Sequence, residues 1–264
     1  MNILFIGDIV GKLGRDVVSY MIDLITSKRP IDFIIANGEN ATHGKGLNED
    51  HFRELLDAGV DVVTLGNHYA AKKDIFKYID TYDCLLRPNN IHSSIPGIGT
   101  NIFDVNGTKI RVTNLMGRSF MNSSVDNPFD NLQDIINYQD KADIHIVDFH
   151  AEATGEKYAL AYAFDGQVSA VLGTHTHVQT RDYRILEKGT AYISDVGMCG
   201  SYNSILGAKK EGVISRTWTG MPSLFEVIEH DECLFSALIL EFDDKTNECL
   251  SIEPIYQIVD EEKL

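Results

Sequence analysis

The sequence lacks long apolar segments, and this absence excludes a membrane-spanning helix. None of the apolar runs in the 264 residues reaches the roughly 18–20 residues that a helix needs to cross a bilayer. The first residues carry no basic region and meet an acid at Asp8, so we expect no signal peptide. Hydrophobic residues still make up 44% of the chain, enough for a large core.

Cysteine is also scarce, and its four positions are scattered. Cys84, Cys199, Cys233 and Cys249 form no Cys-x-x-Cys pair. This distribution argues against a disulfide framework and against a zinc knuckle. We therefore expect reduced thiols and a cytoplasmic protein.

Positive charge is the third deficit. Lysine and arginine number 23 against 39 acidic residues, which gives a net charge of -16, and no basic run interrupts the acidic composition. Such a chain should repel the phosphate backbone of long nucleic acids. Stable binding of long RNA or DNA is therefore not expected.

Short apolar runs alternate with helical patterns, which predicts a partly parallel sheet covered by helices, with antiparallel additions later in the chain. The Asn106-Gly107 dipeptide lies between alternating segments and predicts a hairpin. Pro254 predicts that the last strand is an edge strand. We find no linker and no repeat, so residues 1–264 are predicted to form a single domain. Strands are expected at 3–6, 33–36, 60–65, 144–149, 168–172, 191–193, 237–242 and 250–259; helices at 14–28, from the Asn48 cap to Gly59, at 73–82 and from an Asp130 cap.

Polar residues that can bind metals follow five of the apolar strands. The run Val168 to Leu172, for example, leads into Gly173-Thr174-His175-Thr176-His177. Residues two apart in an extended chain point to one side, so the two histidines should aim at a common point. Ligands gather at the carboxyl ends of strands in such sheets. The residues at these strand ends are Asp8, Glu39, Asn40, Asn67, His68, His150, His175 and His177.

Each of these residues also has an ordinary structural explanation. Asp8 could cap a turn or a helix, and Glu39-Asn40 could lie on a loop surface. Asn67-His68 could be turn residues, and His150 could be a hydrogen-bonded core histidine. Their joint occurrence at five strand ends favours a metal centre.

The number of candidate ligands predicts two metal ions, with Glu39 as a bridge. Only Asp8 and Glu39 carry a formal negative charge among them, so two divalent or trivalent ions would leave the pocket positive. A positive pocket suits a phosphate group and a bound hydroxide. Two-metal sites clamp the attacking and leaving oxygens of an in-line displacement.

Several motifs together resemble those of the calcineurin-like metallophosphoesterases: Gly7-Asp8, Gly66-Asn67-His68, His150 and the 173–177 segment. The usual Asp-x-His appears as Asp8-Ile9-Val10, and Gly38-Glu39-Asn40 replaces the usual Gly-Asp-x-x-Asp. This variant, together with residues 148–154 and 195–198, resembles the bacterial YmdB-like branch of that superfamily. The resemblance implies a four-layer αββα fold and a di-iron centre that acts on 2',3'-cyclic nucleotides and related phosphodiesters.

The resemblance also implies roles for single residues. Asp8, Glu39, Asn40 and His177 would hold one metal, and Glu39, Asn67, His150 and His175 the other. A metal-bridging hydroxide would attack phosphorus, and His68 would protonate the leaving ribose oxygen. Iron is the first expectation for the two ions and manganese the second. The chain departs from the branch after His68, where Tyr69-Ala70-Ala71 stands in place of Trp-Asp.

Two further groups of residues are candidates for supporting roles. Asp148, Glu152 and Asp195 could orient the ligating histidines, or could be surface and turn acids. The loop 117–128, with Arg118 and Phe120, could cover a base and a phosphate, or could simply be a mobile loop.

Hydrolysis of small cyclic phosphodiesters is the activity we expect. Three alternatives stay open: a nuclease on RNA or DNA, a single-zinc hydrolase, and a regulatory protein that binds nucleotides with little turnover. The single-zinc alternative leaves Glu39, Asn40 and Asn67 unexplained. The regulatory alternative predicts that a ligand or His68 is lost. The sequence retains His68 and every candidate ligand. A homo-oligomer is compatible with the sequence, which does not define the oligomeric state.

Overall fold

A computed structural model describes residues 1–122, 124–224 and 226–264. Its strands are β1 (Asn2–Val10), β2 (Phe33–Asn40), β3 (Val62–Thr64), β4 (Leu85–Leu86), β5 (Thr100–Val105), β6 (Thr108–Met116), β7 (Ile144–His150), β8 (Ala170–Thr174), β9 (Arg184–Ile185), β10 (Ala191–Ile193), β11 (Met198–Ser201), β12 (Cys233–Phe242) and β13 (Cys249–Val259). Its α-helices are α1 (Gly11–Thr26), α2 (Glu49–Asp57), α3 (Pro128–Tyr138), α4 (Thr154–Ala163) and α5 (Lys210–Thr219).

The strands form two mixed sheets. The first has the order β13-β12-β11-β1-β2-β3-β4, and the second has the order β5-β6-β7-β8-β10-β9. Parallel pairing runs through β1, β2 and β3 in the first sheet and through β6, β7 and β8 in the second. The antiparallel strands lie toward the outside of each sheet, and the hairpin of β5 and β6 borders the second.

Alternating side chains of β1 divide the core between two faces of the first sheet. Ile3 and Phe5 pack against residues of the second sheet such as Ile146, forming an apolar layer between the sheets. Leu4 and Ile6 point to the other face, where they pack with α1 and α2. The outer face of the second sheet packs against α3 and α4. The four-layer αββα architecture implied by the resemblance is therefore confirmed.

Local signals in the sequence agree with several observed elements. Asn48 caps α2, and its side chain accepts a hydrogen bond from the backbone N–H of His51 at 2.9 Å. Asn106 and Gly107 have φ angles of 54° and 89°, as the tight hairpin turn requires. Pro254 lies on β13, which is at the edge of its sheet as predicted.

Other predictions of local structure were wrong. The helix predicted to begin at Asp130 starts at Pro128, because Asn127 caps it by accepting the N–H of Phe129 at 3.1 Å. The helix predicted over 73–82 is two short 3₁₀ segments, Lys73–Lys77 and Ile79–Thr81. β1 extends to Val10 and β2 to Asn40, so Asp8, Glu39 and Asn40 lie inside these strands and not after them. The register between β1 and β2 shifts on both sides of Asp8.

Five elements, α4, α5, β4, β9 and β11, were not predicted from the sequence. No residue of α5 is buried, so this helix has no apolar stripe to recognise. α4 buries a lysine, Lys157, beside Leu160 and Ala161, which interrupts its apolar face. None of the described helices is long and apolar enough to cross a membrane, and all four cysteines are free thiols, as predicted.

Two glycines let the strands approach closely beside the polar strand ends. A Cβ added to Gly7 would lie 2.0 Å from the carbonyl oxygen of Gly197, and one added to Gly173 would lie 1.8 Å from that of Ser194. Both obstacles are backbone atoms, which cannot turn aside as the tip of a side chain can. The strand ends are therefore packed more tightly than any residue with a side chain would allow.

Gly173→Ala should accordingly destabilise the fold by about 3 kcal/mol or more, at the upper end of the usual cost of overpacking. Gly155→Ala is the matched control, because an added Cβ there meets nothing within 4 Å and alanine favours the helix. Urea unfolding of the two variants checks this. Equal stability of the two variants would contradict the predicted clash.

Candidate metal centre

The carboxyl ends of β1, β2, β7 and β8 meet at one edge of the two sheets. Glu39, His150 and His175 place one ligand atom each within 4.8 Å of one another. The Nε2 atom of His150 lies 3.2 Å from Oε1 of Glu39 and 3.0 Å from Nδ1 of His175. The oxygen of Asn67 is 2.9 Å from the same Nε2 atom. Ligands predicted from separate strand ends are thus brought together.

Glu39 is the central residue of this cluster. It is fully buried, and its Oε1 contacts both His150 and the amide of Asn40, the latter at 3.0 Å. Its Oε2 accepts the backbone N–H of His68 at 2.9 Å. Burial by itself raises the pKa of Glu39, but the positive charge and hydrogen bond of His150 outweigh it, and the pKa falls below its usual range. Glu39 therefore remains a carboxylate at the centre of the cluster.

Asp8 carries a buried oxygen that lacks a partner. Its Oδ2 accepts the backbone N–H of His175 at 3.1 Å, whereas Oδ1 has no hydrogen bond to any of the described residues. That Oδ1 lies 3.8 Å from Nε2 of His177 and 3.8 Å from Nδ1 of His150. Burial raises the pKa of Asp8 to about 7 despite the attraction of these histidines. A cation would satisfy the orphaned oxygen and stabilise the charged form, so the residues present fit a bound metal.

Asn40 links the cluster to His68. Its amide nitrogen faces Nε2 of His177 at 3.2 Å, and its oxygen lies 2.8 Å from Nδ1 of His68. The expected ligand atom of Asn40, the oxygen, therefore faces His68. A half-turn of the amide would exchange the two atoms and present the oxygen to the cluster.

Each clustered histidine is held through the ring nitrogen opposite the cluster. His150 Nδ1 lies 2.9 Å from the hydroxyl of Thr174, which in turn donates to Oδ1 of Asp148 at 2.7 Å. The Nε2 atom of His175 is 3.2 Å from Glu152. Such partners fix the tautomer and the orientation of a ligating ring. Of the acids predicted to orient the histidines, Glu152 thus contacts the ring of His175 directly, and Asp148 reaches the ring of His150 through Thr174.

Asp195 holds the backbone of the His-x-His turn and touches no ring. Its Oδ2 accepts the N–H of Thr176 at 2.9 Å and the ammonium of Lys157 at 2.9 Å, and both side chains of this ion pair are buried. His175 and His177 have φ angles of 101° and 66°, which are strained for residues other than glycine. The ion pair therefore stabilises the turn. Lys157 escaped notice because a helical lysine ordinarily lies on the surface.

The electrostatics of the cluster residues favour a single buried ion pair. The field of Glu39 overcomes burial and raises the pKa of His150 to about 9. Burial and the charge of His150 lower the pKa of His175 to about 3. Burial also lowers the pKa of His68. His175 is therefore neutral and ready to act as a ligand, whereas His150 must lose a proton to bind a metal.

A cleft of about 440 Å³ opens onto these residues. Its lining includes His68 and, unforeseen from the sequence, the cations Lys45 and Arg216 and the apolar Leu206. Arg118 and Phe120 are not among its lining residues. Phe120 is 91% exposed, and the backbone of Arg118 binds Glu156 at 2.9 Å. The predicted covering loop contains Ser123, which lies outside the described residues, as does Phe225.

A four-layer αββα sandwich with acids, amides and histidines gathered at its strand ends defines a protein of the metallophosphoesterase type. The chain matches the YmdB-like protein family over residues 4–255 and belongs to that family. It is 47% identical to the 2',3'-cyclic-nucleotide 2'-phosphodiesterase of Bacillus subtilis, over 97% of this chain and 96% of that one.

Two crystal structures have the same fold. One is a protein of Thermus thermophilus described as hypothetical, with 40% identity and a TM-score of 0.92, covering 98% of this chain and 100% of that one. The other is described as a novel phosphatase of Mycoplasma pneumoniae, with 39% identity and a TM-score of 0.93, covering 100% of this chain and 95% of that one.

Thr174→Val should weaken metal binding by about 10–100-fold, because it breaks the link from Asp148 to His150 and frees that ring to turn. Thr174→Ser is the matched control, since it keeps the hydroxyl. Competition with a chelator measures the affinity, and thermal unfolding checks the fold. If the valine variant binds metal as tightly as the serine variant, this link does not orient His150.

Proposed function

We propose that the chain is a metal-dependent phosphodiesterase that hydrolyses 2',3'-cyclic nucleotides and related small phosphodiesters at a dinuclear centre. The observation that carries this proposal is the buried, unpartnered oxygen of Asp8 beside a connected set of nitrogen and oxygen ligands. The name of the Bacillus subtilis relative supports the substrate class. The acidic composition of the chain speaks against long nucleic acids as substrates.

The candidate ligands divide into two proposed sets that share Glu39. One ion would be held by Asp8, Glu39, Asn40 and His177, and the other by Glu39, Asn67, His150 and His175. Mixed oxygen and nitrogen ligands without a thiolate suit iron, with manganese as the second choice. When bound, the two ions would supply Lewis acidity and a water of lowered pKa.

His68 is the proposed proton donor. It lines the cleft, and its Nδ1 faces the side-chain amide of Asn40, so Nε2 is left to reach the substrate. Burial lowers its pKa in the free protein, but the negative charge of a bound phosphodiester would raise it again. The charged imidazole then donates its Nε2 proton to the departing O2' atom, which leaves a 3'-phosphate.

We also propose that residues 1–264 form one domain and act in the cytoplasm. Support for the single domain comes from the apolar layer that contains residues of both sheets, such as Phe5 and Ile146. Support for the location comes from the free thiols.

The proposed function is tested by metal content and turnover together. Protein purified without chelator should contain about two transition-metal ions per chain and should hydrolyse 2',3'-cyclic mononucleotides faster than long RNA at matched phosphodiester concentration. Glu39→Gln should lose metal and turnover in parallel, because it removes the charge that both ions share. One ion or none in active protein, or faster cleavage of long RNA, would contradict the proposal.

His68→Ala separates proton transfer from metal assembly. The variant should keep about two ions and lose about 10²–10⁴-fold in turnover of a substrate with an alkoxide leaving group. A nitrophenyl phosphodiester needs little protonation, so its hydrolysis should fall much less. Equal losses on the two substrates would show that His68 positions the phosphate, and loss of an ion would show that it supports a ligand.

A further inference from the structure

Two cationic side chains in the cleft have no part in the proposed hydrolysis. Lys45 belongs to the loop after β2, Arg216 belongs to α5, and both line the cleft with His68. Both are exposed. Across residues 1–122, 124–224 and 226–264, neither side chain pairs with a carboxylate, whereas Arg53 and Lys209 pair with Glu49 and Glu226.

The placement of these cations contrasts with the charge of the whole protein. Acidic residues outnumber basic ones by 39 to 23, so the mean field of the chain repels anions. Lys45 and Arg216 bring two positive charges to the lining of the cleft, which also contains the acids Glu39 and Glu152. They reach it from two separate segments, the loop after β2 and the distant helix α5. The two cations therefore meet in the cleft and do not form a single charged segment of the chain.

An apolar side chain lies in the same lining. Leu206 is 45% exposed and adopts a φ of 54°, and its carbonyl oxygen lies 3.1 Å from Nδ1 of His177. The following Gly207 packs against β1, because a Cβ there would lie 2.6 Å from a methyl group of Val10. The turn is therefore held by His177 of the candidate metal centre on one side and by β1 on the other, and it presents Leu206 at a defined place.

We propose that Lys45 and Arg216 bind a second phosphate group of the substrate, with Leu206 packing against the nucleoside between the two phosphates. The second phosphate is either a 5'-phosphate or the next phosphodiester of a short oligonucleotide end. The inference deepens the proposed function and depends on it for the position of the first phosphate. A cleft of about 440 Å³ is within the usual range of ~300–1,000 Å³ for ligand pockets and is larger than one phosphoryl group requires. Arginine suits phosphate because its fork can donate two parallel hydrogen bonds.

The test compares two product-like ligands by calorimetry on metal-loaded protein. A nucleoside 3',5'-bisphosphate should bind about 10–100-fold more tightly than the nucleoside 3'-phosphate, on the scale of one or two charge-assisted hydrogen bonds. The double variant Lys45→Ala/Arg216→Ala should lose most of this preference. Lys210→Ala, an exposed position on the same helix that does not line the cleft, should keep it.

The outcomes distinguish the inference from its rivals. If the wild type shows no preference, or if the double variant weakens both ligands by the same factor, the cations do not recognise a second phosphate. A dinucleotide ending in a 3'-phosphate forms the second arm; tighter binding than the bisphosphate identifies an internal phosphodiester as the target. Turnover of a 2',3'-cyclic nucleotide with and without a 5'-phosphate is measured in parallel. Absence of both turnovers contradicts the proposed function, while the ratio of dissociation constants still decides the subsite.

Discussion

The contact between Glu39 and His150 is the interaction on which the rest of the site depends. Glu39 lies at the end of a strand of the first sheet, and His150 ends a strand of the second, so their 3.2 Å contact joins the two sheets at their carboxyl edge. Both side chains are buried, and a buried ion pair contributes little net stability compared with apolar packing. Its presence at the junction of the sheets is therefore explained better by ligand binding than by folding.

The surroundings of this pair show where the fold accepts strain. His175, His177 and Leu206 all have positive φ angles and line the cleft. Such conformations persist only where neighbouring contacts fix them. The buried pair of Lys157 and Asp195 supplies these contacts for the His-x-His turn, and the carbonyl of Leu206 is fixed to His177 in return. The strained backbone and the contacts that stabilise it thus both lie beside the cleft.

The sequence indicated the candidate ligands of the site better than the residues that surround and position them. Asp8, Glu39 and His150 could be identified because each follows a short apolar run, and such a run is recognisable from the sequence alone. Lys157 and Arg216 could not, because α4 buries a lysine and α5 buries nothing. Arg118 was expected near the substrate only because its loop is long. The length of a loop does not indicate toward which part of the protein it folds. Capping and turn residues were informative where their partner lies within three positions, as at Asn48, and failed at Asp130, where a better cap stood nearby.

Charge explains how an acidic protein can hold an anionic substrate. In the proposed site, two bound cations would outweigh the two carboxylates Asp8 and Glu39, so bound metal would make this end of the cleft positive. Lys45 and Arg216 add two positive charges to the cleft lining that do not depend on bound metal. A substrate with one phosphate would then depend on the metals alone, whereas a substrate with two would also be attracted before it reaches them. In the proposed function, the distribution of charge along the cleft would therefore matter more than the total charge of the chain for which phosphodiesters can enter.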